Sequence, residues 1–403
     1  MIDTQRGRRA TRTILSGAAV VLPDRVLHPG TVVVEDGRIA SIEPGERPAG
    51  SDPGLVDCRG HFILPGFIDL HVHGVEGTDA LDGTAGVSTM AARLPRYGVT
   101  AFCPTSIACA PGPLETMLAA IRAARHATTG ARVLPAHLES NFINPDYCGA
   151  QPVDCLRLPR GGVVEGTFTG GDILTAIQAA AGEVGIMTVA PELDGAIDLI
   201  GDLVAAGIYV SLGHSGATYE QACAGIDAGA TQATHLFNRM TALGHRAPGL
   251  AAAVLDSERV TAEIICDGVH VHPAMLRIAV AAKGADRIMA ITDGTAGSGL
   301  AAGTRTFIGD RPITVGDVAR LDDGTIAGST LTMDQAFRNL VRQLRMGVLD
   351  AAKCCATTPA GALGLVQVGR IAEGWIADLT VLDQALQVRS TYVGGELAWT
   401  AGS

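Results

Sequence analysis

The sequence predicts an α/β protein: a closed (β/α)8 barrel of the TIM type, with a small β-sandwich domain formed by the N- and C-terminal segments. Three observations point there. Eight apolar runs alternate with helical stretches through the middle of the chain, over roughly the 250 residues such a barrel takes. Short alternating runs with turn signals fill both ends. Chemistry-bearing side chains fall at the C-terminal ends of the middle runs, where the loops of such a barrel carry its function. Residues 1–12 are read as a mobile tail, 13–64 with 365–403 as the sandwich, and 65–364 as the barrel.

The elements follow in order. "TILSGAAVVLP", "GTVVVEDGRIASIEP" and "GLVDCRGHFILPG" alternate as strands, and Asp36-Gly37 marks a tight hairpin turn. Eight buried parallel strands then read as "GFIDLHVH", "TAFCPTS", "RVLPAHLES", "GIMTVAPE", "IYVSLGHS", "ATHLFN", "TAEIICDGVH" and "RIMAITDG". Helical stretches such as "PLETMLAAIRAARHA", "DILTAIQAAAGEV" and "PAMLRIAVAAKG" lie between them. Strands return in "GWIADLTVLD", "LQVRSTYV" and "ELAWT", with Gly394-Gly395 as a turn. An open doubly wound sheet is the alternative, but it usually carries a glycine-rich phosphate turn after its first strand; here His71 and His73 stand there.

Composition sets the limits. At 47% hydrophobic and 18% charged the chain is apolar, yet no uninterrupted apolar run is long enough to span a bilayer. Aromatics are only 4%, so Ala, Val, Leu and Ile must fill the core. A net charge of -11 argues against a nucleic-acid partner, which needs a basic face. The nine cysteines are scattered and form no CxxC pair, as expected of reduced thiols in a cytoplasmic protein. The opening residues carry Arg6, Arg8, Arg9 and Arg12 without an apolar core, unlike a secretory signal.

The strand ends carry the chemistry. His71 and His73 are two residues apart on one strand, so both point to the same face. The third strand ends in Glu139, the fifth in His214, the sixth in His235 and the eighth in Asp293. A closed barrel brings these ends to one rim, so four imidazoles and two carboxylates meet in one pocket suited to a divalent metal. The chain has only two lysines, Lys283 and Lys353, both in helical stretches. Both lie away from the proposed strand ends.

"PGFIDLHVHG", "HLES", "GHSGAT", "THLFNRM", "APGL", "DGVHV" and "ITDGT" stand in that order along nearly the whole chain. In them the chain resembles the metal-dependent amidohydrolase superfamily and, within it, the N-acetylglucosamine-6-phosphate deacetylase family. The resemblance implies removal of acetyl from an amino-sugar 6-phosphate, N-acetylglucosamine 6-phosphate or an epimer such as N-acetylgalactosamine 6-phosphate. It implies a main ion on Glu139, His214 and His235. His71 and His73 would hold a second, with Glu139 as bridge and Asp293 as a further ligand and general base. One or two ions of Zn²⁺, Fe²⁺, Mn²⁺ or Co²⁺ suit such N/O ligands. It also implies a homodimer in which Arg246 reaches the neighbour's sugar phosphate, with Gln151, Asn238 and His270 toward the substrate.

Two positions depart from the family pattern. Ser140-Asn141 replace its usual Gly-Pro after the glutamate, placing two polar side chains beside the bridge. Arg239 stands where a small residue is usual and adds a cation near the phosphate site or forms a salt bridge elsewhere. The tracts 148–162 and 294–328 read as candidate lids, since long loops at a functional rim often serve so. His137 reads as a group behind the ligands and His272 as a loop residue. Two other readings remain: an amidohydrolase of cyclic amides or N-acyl amino acids, which would not need Arg246, and a metal-retaining binding or regulatory protein, which would not need Asp293.

Overall fold

The eight apolar runs become the parallel strands of a barrel in the computed structural model, which describes residues 12–50, 52–125, 130–160 and 167–402. They are β1 Phe67–Val72, β2 Val99–Ser106, β3 Ala136–Leu138, β4 Val184–Val189, β5 Tyr209–Leu212, β6 Gln232–Ala233, β7 Thr261–Ile265 and β8 Ile288–Ile291. Each pairs in parallel with the next, from Phe67↔Val99 to Ile265↔Ile291. The ring closes where β8 meets β1. There the Asp293 N–H donates to the His71 carbonyl at 2.9 Å and the His73 N–H to the Gly294 carbonyl at 2.8 Å. These strands are nearly continuous apolar runs because both faces are covered, one by the barrel interior and one by helices.

Eight helices alternate with the strands: α1 Gly83–Arg93, α2 Pro111–Ala124, α3 Gly170–Ala179, α4 Ala196–Ala205, α5 Tyr219–Asp227, α6 Gly249–Asp256, α7 Pro273–Lys283 and α8 Met333–Arg342. Reciprocal caps start three of them, Thr169 with Asp172, Thr218 with Gln221 and Thr332 with Gln335. The strands are shorter than their apolar runs where the backbone cannot continue. Pro135 lacks an N–H and separates β3 from the short pairing at Arg132–Val133. "ATHLFN" stays extended only to Ala233, because His235, Phe237 and Arg239 take left-handed backbone angles that curl the chain.

The terminal strands join into one hydrogen-bonded sheet. Its order runs Glu396–Thr400, Val388–Val393, Leu379–Leu382, Phe62–Pro65, Arg12–Val21, Val26–Glu35, Arg38–Pro44, with Leu55–Asp57 beside Arg12–Val21. Leu15, Val20, Val32, Ile63, Leu379 and Val381 fill a core of its own. The hairpin at Asp36-Gly37 forms as expected, both residues at positive φ. Arg12, counted with the tail in the sequence, opens the first strand and pairs with Glu35 at 2.9 Å. The rest of the tail, residues 1–11, lies outside the described residues. The last strand before the barrel leads straight into β1 through Gly66, where any Cβ would sit 2.2 Å from the Thr100 side chain.

A two-pronged ion pair ties sheet to barrel. Arg132 donates from Nε and Nη2 to the Asp378 carboxylate at 3.1 and 3.0 Å, and the Gly394 N–H adds a third bond at 2.7 Å. Asp378 is buried while Arg132 is about a third exposed, so part of the attraction is screened. Asp378→Asn removes the charge that both prongs use. It should destabilise the chain by about 2 kcal/mol, seen as a lower urea midpoint with an unchanged metal content.

Candidate metal centre and active site

The ligands are shaped first by the strands that carry them. His71 and His73 project from the end of β1 toward the barrel axis, with Nε2 atoms 3.3 Å apart. His214 and His235 follow β5 and β6, with Nε2 atoms 3.1 Å apart. Glu139, one residue past β3, lies between the two pairs. Its Oε1 is 2.7 Å from His214 Nε2 and 2.8 Å from His235 Nε2, and its Oε2 is 3.5 Å from His73 Nε2. Asp293, two residues past β8, sets Oδ1 3.2 Å from His73 Nε2 and 3.4 Å from His71 Nε2. All six strand-end residues therefore meet at one point, buried.

The geometry fits a cation. Behind three of the rings an acceptor takes the Nδ1 proton: Glu263 Oε2 for His71 at 3.0 Å, the Thr105 carbonyl for His73 at 3.2 Å, and the Tyr147 carbonyl for His214 at 2.8 Å. A neutral imidazole has one N–H and one lone pair, so each such ring turns its Nε2 lone pair inward. Lone pairs facing each other at about hydrogen-bond distance repel unless a positive charge lies between them. His235 Nδ1 is buried without a hydrogen-bond partner.

Electrostatics say the same. Burial opposes protonation of His71, yet Glu263, Asp293 and Glu139 outweigh it and lift its pKa to about 9. For His73, burial is overcome by Asp293 and Glu139, which raise it to about 10. Burial works against ionisation of Glu139, but His214, His235 and His73 hold it well below the carboxylate range. Asp293 likewise stays below that range because His71 and His73 outweigh its burial. The pocket has a negative potential that draws positive charge. His137 instead falls to about 4, through burial and the nearby His71. It bonds the Leu70 carbonyl and Thr188, behind the ligands as expected.

Three of the candidate ligands, His214, His235 and Asp293, have positive φ, a conformation that costs energy in non-glycine residues and clusters at functional sites. Neighbouring bonds hold them there. Asn144 N–H donates to the His214 carbonyl at 3.0 Å, Asn238 N–H to that of His235 at 2.9 Å and Ser329 N–H to that of Asp293 at 2.7 Å. Glu192 anchors the turn after His214, accepting from Ser215 Oγ at 2.7 Å and Gly216 N–H at 2.6 Å.

The ligands open into a cavity of about 470 Å³. Gln151, Asn238, Arg239 and His270 form its polar side, and Ile107, Ile308 and Ile326 its apolar side. Gln151 receives the Ala108 N–H at 2.7 Å and donates to Glu139 Oε2. His270 Nδ1 bonds Asp267 at 2.6 Å. Ile308 and Ile326 belong to the 294–328 tract, which folds as a three-stranded sheet over Arg305–Ile308, Arg311–Val315 and Ala319–Leu321. In the other candidate lid, Gly149, Ala150 and Gln151 face the cavity, while 161–166 lie outside the described residues.

Some expectations land elsewhere. Arg246 is exposed between β6 and α6 and does not line the cavity of its own chain. Ser140 and Asn141 turn away from the cavity: Ser140 Oγ donates to the Thr188 carbonyl, and Asn141 Nδ2 to those of Cys109 and Cys155 at 2.8 and 2.7 Å. His272 caps α7. Lys283 donates to the Val254 carbonyl at 2.9 Å and Lys353 faces Asp286 at 3.5 Å, so neither bridges ligands. Sequence reasoning passed over Glu263, whose one signal was a lone charge inside the apolar run of β7. It also passed over Asp267 as the partner of His270. The carbonyl acceptors of Thr105 and Tyr147 leave no signal in side-chain identity.

Comparison with known proteins agrees with this geometry. The profile described as "Amidohydrolase family" matches residues 62–398. The chain is 32% identical over 399 residues to the N-acetylglucosamine-6-phosphate deacetylase of Bacillus subtilis (strain 168), covering 97% of this chain and 98% of that protein. It is 33% identical over 371 residues to the N-acetylgalactosamine-6-phosphate deacetylase of Escherichia coli O157:H7, covering 91% and 93%. Among solved structures it resembles a mutant N-acetyl-D-glucosamine-6-phosphate deacetylase from Mycobacterium smegmatis in complex with N-acetyl-D-glucosamine-6-phosphate. The TM-score is 0.88 at 34% identity, over 97% of this chain and 100% of that one.

The cluster predicts distinct outcomes for its two halves. Glu139→Gln replaces the shared anion by a neutral amide and should lower total bound metal and abolish turnover. His71→Asn should remove one ion and leave the ion on Glu139, His214 and His235. Elemental analysis of the purified variants reads both; unchanged metal in Glu139→Gln would remove it from the ligand set.

Proposed function

The chain belongs to the amidohydrolase family, among its N-acetylglucosamine-6-phosphate deacetylases, and we propose that it hydrolyses the acetamide of an amino-sugar 6-phosphate, N-acetylglucosamine 6-phosphate giving glucosamine 6-phosphate and acetate. The observation that carries this reading is the position of Asp293, whose carboxyl His71 and His73 hold below the usual range, beside a buried His/Glu cluster at the floor of a cavity with polar and cationic groups on its wall. A protein that only held metal would need no general base at the floor of such a cavity.

Glu139, His214 and His235 would hold the main ion, and His71, His73 and Asp293 a second one across Glu139. Bound there, a divalent cation supplies Lewis acidity that polarises the acetamide carbonyl and lowers the pKa of a water toward about 7. The chain's own groups move the proton. Asp293 accepts it as the water oxygen adds to the carbonyl carbon. It then delivers the proton to the amine nitrogen as the C–N bond breaks, so acetate and the free amine leave. Gln151, bonded to Glu139, holds the bridging carboxylate in place. The donor set lacks thiolate and suits Zn²⁺, Fe²⁺, Mn²⁺ or Co²⁺.

The phosphate end rests on three cations. His270 and Arg239 line the cavity. Arg246, exposed and outside the cavity of its own chain, supports a homodimer in which it completes the neighbour's site. The nine unpaired thiols support a cytoplasmic location. No helix among the described residues is long and apolar enough to cross a membrane. The likeness to an N-acetylgalactosamine-6-phosphate deacetylase favours a second reading, in which the substrate is the 4-epimer. Acetate release from both 6-phosphates and from the unphosphorylated sugars tests the assignment; no release from any of them would end it.

Three outcomes are expected. Asp293→Asn should keep the fold and main ion yet lower kcat about 10²–10⁴-fold, the usual worth of one positioned proton-transfer group. Arg246→Ala should raise KM for the phosphorylated sugar about ten- to a hundredfold, as loss of a charge-assisted pair implies. Metal content and activity on unphosphorylated sugar should hold, and mixing its subunits with Asp293→Asn subunits should restore some active sites.

The third outcome concerns pH. Burial pushes His270 down, but Asp267 outweighs it with help from Asp293 and against Arg320, so its pKa is raised. The cation therefore persists above the ordinary imidazole range, and KM for the phosphorylated sugar should begin to rise only there. Asp267→Asn removes the raising carboxylate and should move that rise to lower pH. A KM profile unmoved by Asp267→Asn would show that His270 does not carry charge to the phosphate.

A further inference from the structure

Glu263 is a buried carboxylate that the deacetylation scheme does not use. It lies on β7, where the following Ile264 and Ile265 and the preceding Ala262 are fully buried. A barrel interior is ordinarily filled by branched apolar side chains. A lone carboxylate there costs several kcal/mol unless it is paired.

Its partners explain its presence. Oε2 accepts from His71 Nδ1 at 3.0 Å and from the backbone N–H of His235 at 3.2 Å. Oε1 has no hydrogen-bond partner; the nearest ring nitrogen is His137 Nδ1, at 3.7 Å. His137 is no rival partner, since its Nδ1 is engaged by the Leu70 carbonyl at 3.0 Å and its Nε2 by Thr188 Oγ1 at 2.9 Å. For the same reason, His71, His137 and Glu263 do not form a separate ion site, although the three cluster closely. The other carboxylate in the barrel core, Asp69, is satisfied by Thr292 Oγ1 at 2.6 Å and two backbone N–H groups. Of these two, only Glu263 bonds the ring of a candidate ligand.

We infer that Glu263 is the positioning residue for the second ion: its carboxylate fixes the His71 ring with the Nε2 lone pair facing the cluster, and so sets the affinity of the His71/His73 half-site. The inference rests on the reading of those two histidines as ligands. It does not rest on the sugar, because ion binding is measured without substrate. The shorter bond to His71, against the longer one to the His235 backbone, makes the ring the primary client. With a neutral amide at 263, His71 loses its anionic acceptor and can protonate Nε2 instead of Nδ1. The Nε2–H then faces the ion position and the lone pair points away from it.

Cobalt(II) titration of metal-stripped full-length chain, read by absorbance and by equilibrium dialysis, tests this. The unaltered chain should take up two ions. Glu263→Gln, which keeps the side-chain volume, should hold one ion with unchanged affinity and weaken the other about ten- to a hundredfold. His71→Asn should lose that same ion, and adding Glu263→Gln to it should leave the remaining ion unaffected. Circular dichroism and Tm confirm that each variant folds. If Glu263→Gln does not fold, Glu263→Asp takes its place and should weaken the same ion. Two ions bound with unchanged affinity in the folded variant overturn the inference. So does a single ion in the unaltered chain, or a further tenfold loss in the double variant, which would place Glu263 behind His235 instead.

Discussion

Glu139 must face two pairs of imidazoles at once, and the rest of the rim is arranged so that it can. One oxygen lies within 2.8 Å of both His214 and His235, and the other turns toward His73. A buried carboxylate in that position is stable only if its neighbours are held still, since a small displacement leaves like dipoles facing one another. The barrel supplies the stiffness. Glu139, His214, His235 and Asp293 stand on separate strands, and each strand is fixed by its ladder on either side. The closing bonds between β8 and β1 pass through the backbone of His71, His73 and Asp293 themselves. Closure of the fold and assembly of the site are thus one event.

How much of this was legible in the sequence follows from how local each signal is. Alternation on one strand predicts that His71 and His73 share a face, and they do. Strand order predicts that Glu139, His214, His235 and Asp293 reach the same rim, and they do. What sequence could not show was the layer behind. Glu263 meets His71 across the barrel, and no spacing along the chain encodes that contact. Thr105 and Tyr147 act through carbonyl oxygens, which every residue possesses. Ser140 and Asn141 looked like pocket residues because they adjoin Glu139. The chain turns after β3, and their side chains instead bond backbone carbonyls of Thr188, Cys109 and Cys155. Length was misread where geometry interrupts a run, as at Pro135 and after Ala233.

Above the rim, loops from distant strands hold one another. Gly309, in the sheet inserted after β8, donates its N–H to Asp79 after β1 at 3.1 Å, and Arg311 donates to the Ala150 carbonyl after β3. Ile107, after β2, packs with Ile308 and Ile313. The apolar side of the cavity therefore belongs to a module made from four loops. A substitution in any one of them is transmitted to the cavity wall, and through Gln151 to Glu139.

The strand Phe62–Pro65 runs through Gly66 into β1 and pairs with Leu379–Leu382 across the small sheet. A ribosome makes the first of these long before its neighbour. The sheet that steadies the entry to β1 is therefore complete only once residues 379–382 have emerged, well after β1 and its His71 and His73. A nascent chain that stops short of that pairing lacks the support behind those two histidines. Long-range pairing of this kind folds slowly.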